Sequence, residues 1–148
     1  MKLHLGVMDG SHGDTETIAE VAQYLEDKYD VMQNFFDAHA GDIADDFAKS
    51  FAIAMEDMMS GLPVGNPFNS ATSKTEARFQ KFIDLAEIEK MGIEGVPTQA
   101  ALDGVRSSLK KKKEIKGRKY RSKVRGTRRQ SFFDTGLYMN AFKCWVDQ

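Results

Sequence analysis

The chain has 148 residues, of which 41% are apolar, 10% aromatic and 29% charged. That is the composition of one folded domain with its own core, and it excludes a disordered or collagen-like chain. No apolar run approaches the roughly 18–20 residues of a membrane span, and the N-terminal segment is too short for a signal-peptide core. A lone cysteine, Cys144, excludes an internal disulfide framework, so a cytosolic protein, or a virion component assembled in a reducing compartment, is expected.

The formal net charge of −1 conceals a segregation. Residues 106–129 hold 13 Lys or Arg against Glu114 alone, a net of +12. Residues 1–105 hold 7 basic and 19 acidic side chains, a net of −12. Such asymmetry reads as a basic arm on an acidic body. The arm has three candidate targets: nucleic acid, the acidic face of a neighbouring copy, or its own body.

In chain order, Leu3, Leu5 and Val7 alternate with polar neighbours and predict a half-buried strand. A turn over Asp9–Gly13 leads to a helix whose start carries Thr17 and Glu20 at capping-box spacing, with Asp14 as a rival cap. Ile18, Val21, Ala22 and Leu25 give that helix its apolar stripe. From about Asp37 to Ser60 a second stripe runs through Ala40, Ile43, Phe47, Phe51, Ala54, Met55 and Met58. It predicts a helix of some 35 Å, the structural spine, with Phe47 and Phe51 in the core. Met55, Met58 and Met59 suit either core filling or an adaptable contact surface. The segment from Gly61 to Pro67 stops this helix.

Ser73 and Glu76 read as a second capping box, before a helix with Phe79, Phe82, Ile83 and Ala86 that ends near Gly92. Thr98 opens a fourth helical segment, with Leu102, Val105 and Leu109 facing inward. Residues 110–130 hold only Ile115, Val124 and Tyr120 as apolar anchors, which predicts an extended arm that orders against a partner. Asp134 or Thr135 then caps a short helix, and Phe142, Cys144 and Val146 alternate as a closing strand. The fold class expected is α+β. It is a single domain over residues 1–148, with a long central helix and a few strands formed by the terminal segments. A basic extended arm or loop occupies residues 106–130.

Catalytic signals are weak. The Val7–Thr15 segment has the strand, glycine loop and helix start that cradle phosphates, but it lacks a P-loop lysine and places Asp9 and Asp14 where an anion would sit, so it is read as a turn. His4, His12 and His39 lie at no metal-ligand spacing, and Asp42 with Asp45 and Asp46 reads as a solvated face. Cys144 reads as a small core residue. No nucleophile motif is present, so the expectation is a protein that is not an enzyme and has no cofactor or metal site. The strongest signal is the run Lys110, Lys111, Lys112 and Lys113 with Arg118, Lys119, Arg121, Lys123, Arg125, Arg128 and Arg129. Those cations suit phosphate contact or an acidic protein surface, and scarce aromatics argue against base stacking.

Two segments carry a resemblance. The stretch Ser131-Phe-Phe-Asp-Thr-Gly-Leu-Tyr-Met-Asn-Ala-Phe-Lys-Cys-Trp-Val-Asp147 resembles the closing segment of small neck and tail-completion proteins of tailed bacteriophages. The opening strand and turn, Leu5 to Gly10, with the helix from Thr17 to Glu26, is similar to the start of many such proteins. Together the two cover about a quarter of the chain. The resemblance implies a non-enzymatic virion structural protein, a head–tail connector, tail-completion or tail-terminator subunit, assembled from the host cytoplasm into a ring. It implies a structural role for Asp134, Thr135 and Gly136. Its partners would be copies of itself, other neck, connector or tail proteins and, non-specifically, packaged DNA, with no membrane. The charge pattern agrees on separate grounds, since an acidic body and a basic arm are complementary between neighbours and head-to-tail contacts close into rings. The alternative expectation is a nucleic-acid-binding accessory protein using residues 106–129.

Overall fold

In the computed structural model the two ends of the chain meet. β1 (Lys2–Val7) and β6 (Phe142–Asp147) form an antiparallel pair, with Leu3 opposite Val146 and Val7 opposite Phe142. Between them lie two short strands, β2 (Ser11–His12) and β3 (Glu16–Thr17), then helices α1 (Ile18–Tyr29), α2 (Val31–Met59) and α3 (Asn69–Asp84). A 3-10 turn (Glu87–Lys90), α4 (Gln99–Leu102), strands β4 (Lys112–Ile115) and β5 (Arg118–Arg121), and α5 (Leu137–Ala141) complete the order. The structure describes residues 2–8, 11–12, 16–104, 112–115, 118–121, 126–133 and 136–147. This is the expected α+β domain with a long helix and paired terminal strands.

Packing centres on aromatic rings. Phe35 of α2 meets Phe79 and Phe82 of α3 and Phe142 of β6 edge-on, at centroid distances of 5.1, 5.5 and 5.9 Å. Phe79 stacks on Phe142 at 3.9 Å and meets Tyr138 of α5 at 5.7 Å. These rings are buried, with Val31, Ile43, Ile83 and Ile88 around them. Leu3, Leu5 and Val7 cover the cluster from β1, as their alternation predicts.

The Thr17–Glu20 capping box forms as read, with the Glu20 N–H donating to Thr17 Oγ1 at 3.2 Å and the Thr17 N–H to Glu20 at 2.9 Å. The spine is longer than expected. Helix α2 begins at Val31 rather than Asp37, and its 29 residues span about 44 Å. Only Asp30, at φ 48°, separates it from α1. Its cap is supplied from α1, where the Glu26 carboxylate accepts from the Met32 and Gln33 N–H groups at 2.7 and 3.0 Å. At the other end the N–H groups of Gly61 and Leu62 fold back to the carbonyls of Met58 and Asp57.

Four further expectations are corrected. Helix α3 begins four residues before Ser73, so Ser73 is not its cap; Glu76 instead accepts from Lys143 Nζ at 2.9 Å and the Cys144 N–H at 3.2 Å, tying α3 to β6. That helix ends at Asp84, with Ala86 at positive φ, and not near Gly92. Thr98 does cap a fourth helix, but only a single turn in which Ala101 is buried and Leu102 is exposed; Val105 and Leu109 lie outside the described residues. Phe47 is half-buried, packed on the core cluster, and Phe51 is exposed, because α3 is only beginning at that height: both rings meet Phe68, the residue before its first turn.

Glu89 clasps the segment before α5. Its carboxylate accepts from the backbone N–H and the hydroxyl of buried Ser131, both at 2.8 Å, and from Arg128 at 3.0 Å. Ser131 Oγ in turn accepts from the Thr98 N–H. Burial pushes the Glu89 carboxyl up, but the Ser131 donors and Arg128 outweigh it and hold the group below the usual carboxylate range. Its contribution to stability is therefore complete above the unfolded carboxylate range and is lost as pH falls through the folded value.

Two outcomes are expected. Phe35→Ala should cost about 3–5 kcal/mol in denaturant unfolding, whereas Phe51→Ala should cost under about 1 kcal/mol; equal effects would misplace the core. Thermal melts of Glu89→Gln should lie below wild type at pH 7 and approach it as pH falls below about 4. A gap that persists unchanged to pH 3 would show that this carboxylate carries no net linkage.

Candidate functional site

Residues 101–104 and 126–129, which flank the basic arm, are pinched together into a neck. The Gly126 N–H donates to the Asp103 carbonyl at 3.0 Å and the Arg129 N–H to the Ala101 carbonyl at 3.1 Å. Gly104 sits at φ 62°, and a Cβ there would lie 2.3 Å from the Thr127 carbonyl oxygen, so only glycine allows this approach. Beyond the neck, β4 and β5 pair antiparallel, with Lys112 opposite Arg121, Lys113 opposite Tyr120 and Glu114 opposite Lys119. The basic arm therefore carries a hairpin. Sequence periodicity missed it because the strands have no apolar face, although Lys116-Gly117 leaves the two-residue spacing of a tight hairpin.

The predicted basic residues divide into three groups. Lys112, Lys113, Arg118, Lys119 and Arg121 lie on the two hairpin strands. Lys110, Lys111, Lys123 and Arg125, like Asp134 and Thr135, lie outside the described residues. Arg128 and Arg129 belong to the base of the arm: Arg128 reaches Glu89, and Arg129 donates to the carbonyls of Gln130 and Phe133. Gly136, at φ 77°, occupies the cap position of α5, which has no side-chain cap there.

The acidic face is also subdivided. Arg78 of α3 spans Asp42 and Asp46 of α2 at 2.8 Å each, and Lys74 reaches Asp46 at 3.2 Å. Burial raises the Asp46 carboxyl, but Arg78 and Lys74 outweigh it and lower it on balance. Asp42 and Asp45 are exposed, as the solvated-face reading expects, and Asp42 and Asp46 in addition form a seam between the two helices.

Past Ser50 the only buried residue of α2 is Ala54. Phe51 is 51% exposed, Met58 67% and Met59 86%, and Met55 and Leu62 are exposed beside them. The methionines are therefore surface rather than core. With Val64, Gly65 and Pro67 of the following loop they line an apolar groove of about 660 Å³. Residues 50–73 contain Glu56 and Asp57 and no Lys or Arg. The groove was visible in sequence only as a methionine cluster beside prolines.

Elsewhere, burial pushes the Cys144 thiol up to about 11, opposed by Thr75 and reinforced by Glu76, so it is a protonated core group at neutral pH. His39 lies 3.2 Å from Glu87 and His4 lies 2.7 Å from Asp147. Among the described residues no three His, Cys, Asp or Glu side chains gather to hold a metal, and no helix is long and apolar enough to cross a membrane. Comparison with family models, with curated proteins and with solved structures finds no match to this chain.

The neck makes a prediction with an internal control. Gly104→Ala should destabilise the protein by about 2–4 kcal/mol through steric overlap and positive φ. Gly41→Ala, in the exposed interior of α2 with nothing near the new methyl, should stabilise it by about 0.5–1 kcal/mol. Denaturant midpoints check both signs, and a neutral Gly104→Ala would dismiss the neck.

Proposed function

We propose that the chain is a structural subunit of a bacteriophage neck or tail end that assembles into an oligomeric ring joining or completing the head–tail connection. The single observation that supports this reading is a strongly basic hairpin held by a tight neck on an acidic α+β body. Opposite charges on separate patches of one chain favour head-to-tail contacts between copies, and such contacts close into rings or extend into filaments. The terminal strands and the Ser131–Asp147 segment add the resemblance to neck and tail-completion proteins.

A second reading, non-specific binding of nucleic acid, is favoured by one feature of the hairpin. Residues 112–121 carry six cations against Glu114 alone, a surplus that calls for an anionic partner. Phosphates and carboxylates both meet that need. The two readings part on salt and stoichiometry. Light scattering of nuclease-treated protein should show a multimer that persists at 200 mM salt. A monomer whose duplex affinity falls about 10³–10⁵-fold between 50 and 200 mM salt would overturn the ring in favour of nucleic acid.

A further inference from the structure

We infer that the apolar groove at the C-terminal end of α2 is covered by the same groove of a second copy of this chain, in a two-fold pair. This contact is isologous, so it is separate from the head-to-tail contact of the proposed ring and does not rest on it.

The groove lies on one side of its helix. At 3.6 residues per turn Phe51, Met55, Met58 and Met59 fall within an arc of about 100°, and Glu56 and Asp57 fall on the other side. Val64, Gly65 and Pro67 close the groove from the following loop, and among the described residues its lining holds no charged side chain. Phe51 stacks on Phe68 at 6.4 Å, and the methionines beyond it are flexible enough to adapt to what fills the groove. Apolar surface concentrated at one end of a helix marks a contact site.

Charge and area select the occupant. A charged segment would find no counter-charge in this lining and would lose its hydration on entering, so the occupant is apolar and uncharged. The chain itself offers one such surface. Phe51, Ile53, Met55, Met58, Met59 and Leu62 are exposed between residues 51 and 62, and no other described segment of that length exposes as many large apolar side chains. At roughly 200 Å² for a large apolar side chain, the exposed parts of Phe51, Met55, Met58, Met59 and Leu62 come to about 600 Å² per copy and about 1,200 Å² for a pair, the lower end of stable interfaces. Two-fold pairing sets these faces against each other and leaves Glu56 and Asp57 of both copies outside the seam, so no like charges are brought together.

Symmetry and indifference to salt give the test. Nuclease-treated full-length protein is examined by sedimentation velocity at about 1 M salt, where contacts between exposed charges are screened. Wild type should sediment as a dimer, or as a pair of rings where the ring survives. Met55→Glu with Met58→Glu should halve that mass even at about ten times the concentration that pairs wild type. Both methionines are exposed, and circular dichroism checks folding; if this variant is misfolded, Met58→Lys with Met59→Lys replaces it. Two-fold pairing also sets a residue against its own counterpart. Of Met55→Cys, Met58→Cys and Met59→Cys, at least one should therefore form a disulfide-linked dimer under mild oxidation, and Ile53→Cys, on the far side of α2, should form none; the native Cys144 is buried. Wild type that is monomeric throughout the micromolar range overturns the pairing and leaves the groove to a different protein. A mass that the glutamates leave unchanged, or self-cross-linking at none of the three methionine positions, overturns it as well and leaves any assembly head-to-tail alone.

Discussion

The contact of Phe35 with Phe79, Phe82 and Phe142 is the constraint on which the fold depends. These rings come from α2, α3 and the last strand, so they join elements separated by more than a hundred residues at their extremes. Burying three or four aromatic side chains accounts for several kcal/mol each, a sum comparable with the net stability of a domain this size. Phe142 also carries the pairing of β6 with β1, because it is the residue opposite Val7. A two-stranded pair is marginal in water, and stacking on Phe79 supplies the packing that it needs. Tyr138 on α5 joins the same cluster, which brings the short helix before β6 into register with the core.

That arrangement supports α2 unevenly. Its first half is clamped by the rings and by the Arg78 seam, and its last turns extend beyond them with only Ala54 buried. A helix anchored at one end can present apolar side chains at the other without loss of its own order, since its backbone hydrogen bonds are internal. The fold can thus carry an open groove at modest cost to stability. The Gly61 and Leu62 bonds and the Phe68 stacks fix the loop that forms the groove's second wall.

Electrostatics sorts the charged residues into two sets. One set is internal: Arg78 with Asp42 and Asp46, Lys143 with Glu76, and Arg128 with Glu89 each tie two elements together. The other set, Glu56 and Asp57 at the end of α2, has no ion-pair partner among the described residues. A net charge near zero hides this division, because the surplus of each sign lies on a separate part of the molecule.

What the amino-acid order determined by itself is local and periodic: the terminal strands, the Thr17–Glu20 and Thr98 caps, the existence of the long helix, the burial of Cys144 and the charge split all follow from nearest neighbours and spacing. The tertiary structure decided everything that required a distant partner. It started α2 at Val31, because its cap is Glu26 of the preceding helix. It used Glu76 as a tie to β6 rather than a cap, and drew Asp42 and Asp46 of an otherwise exposed face into a seam with Arg78. It placed Phe51 and the methionines outside, since a stripe along one helix does not reveal where the neighbouring helix ends. It also closed the base of the basic arm, because the meeting of Gly104 with Thr127 depends on backbone contact across more than twenty residues, a distance over which side-chain periodicity carries no information.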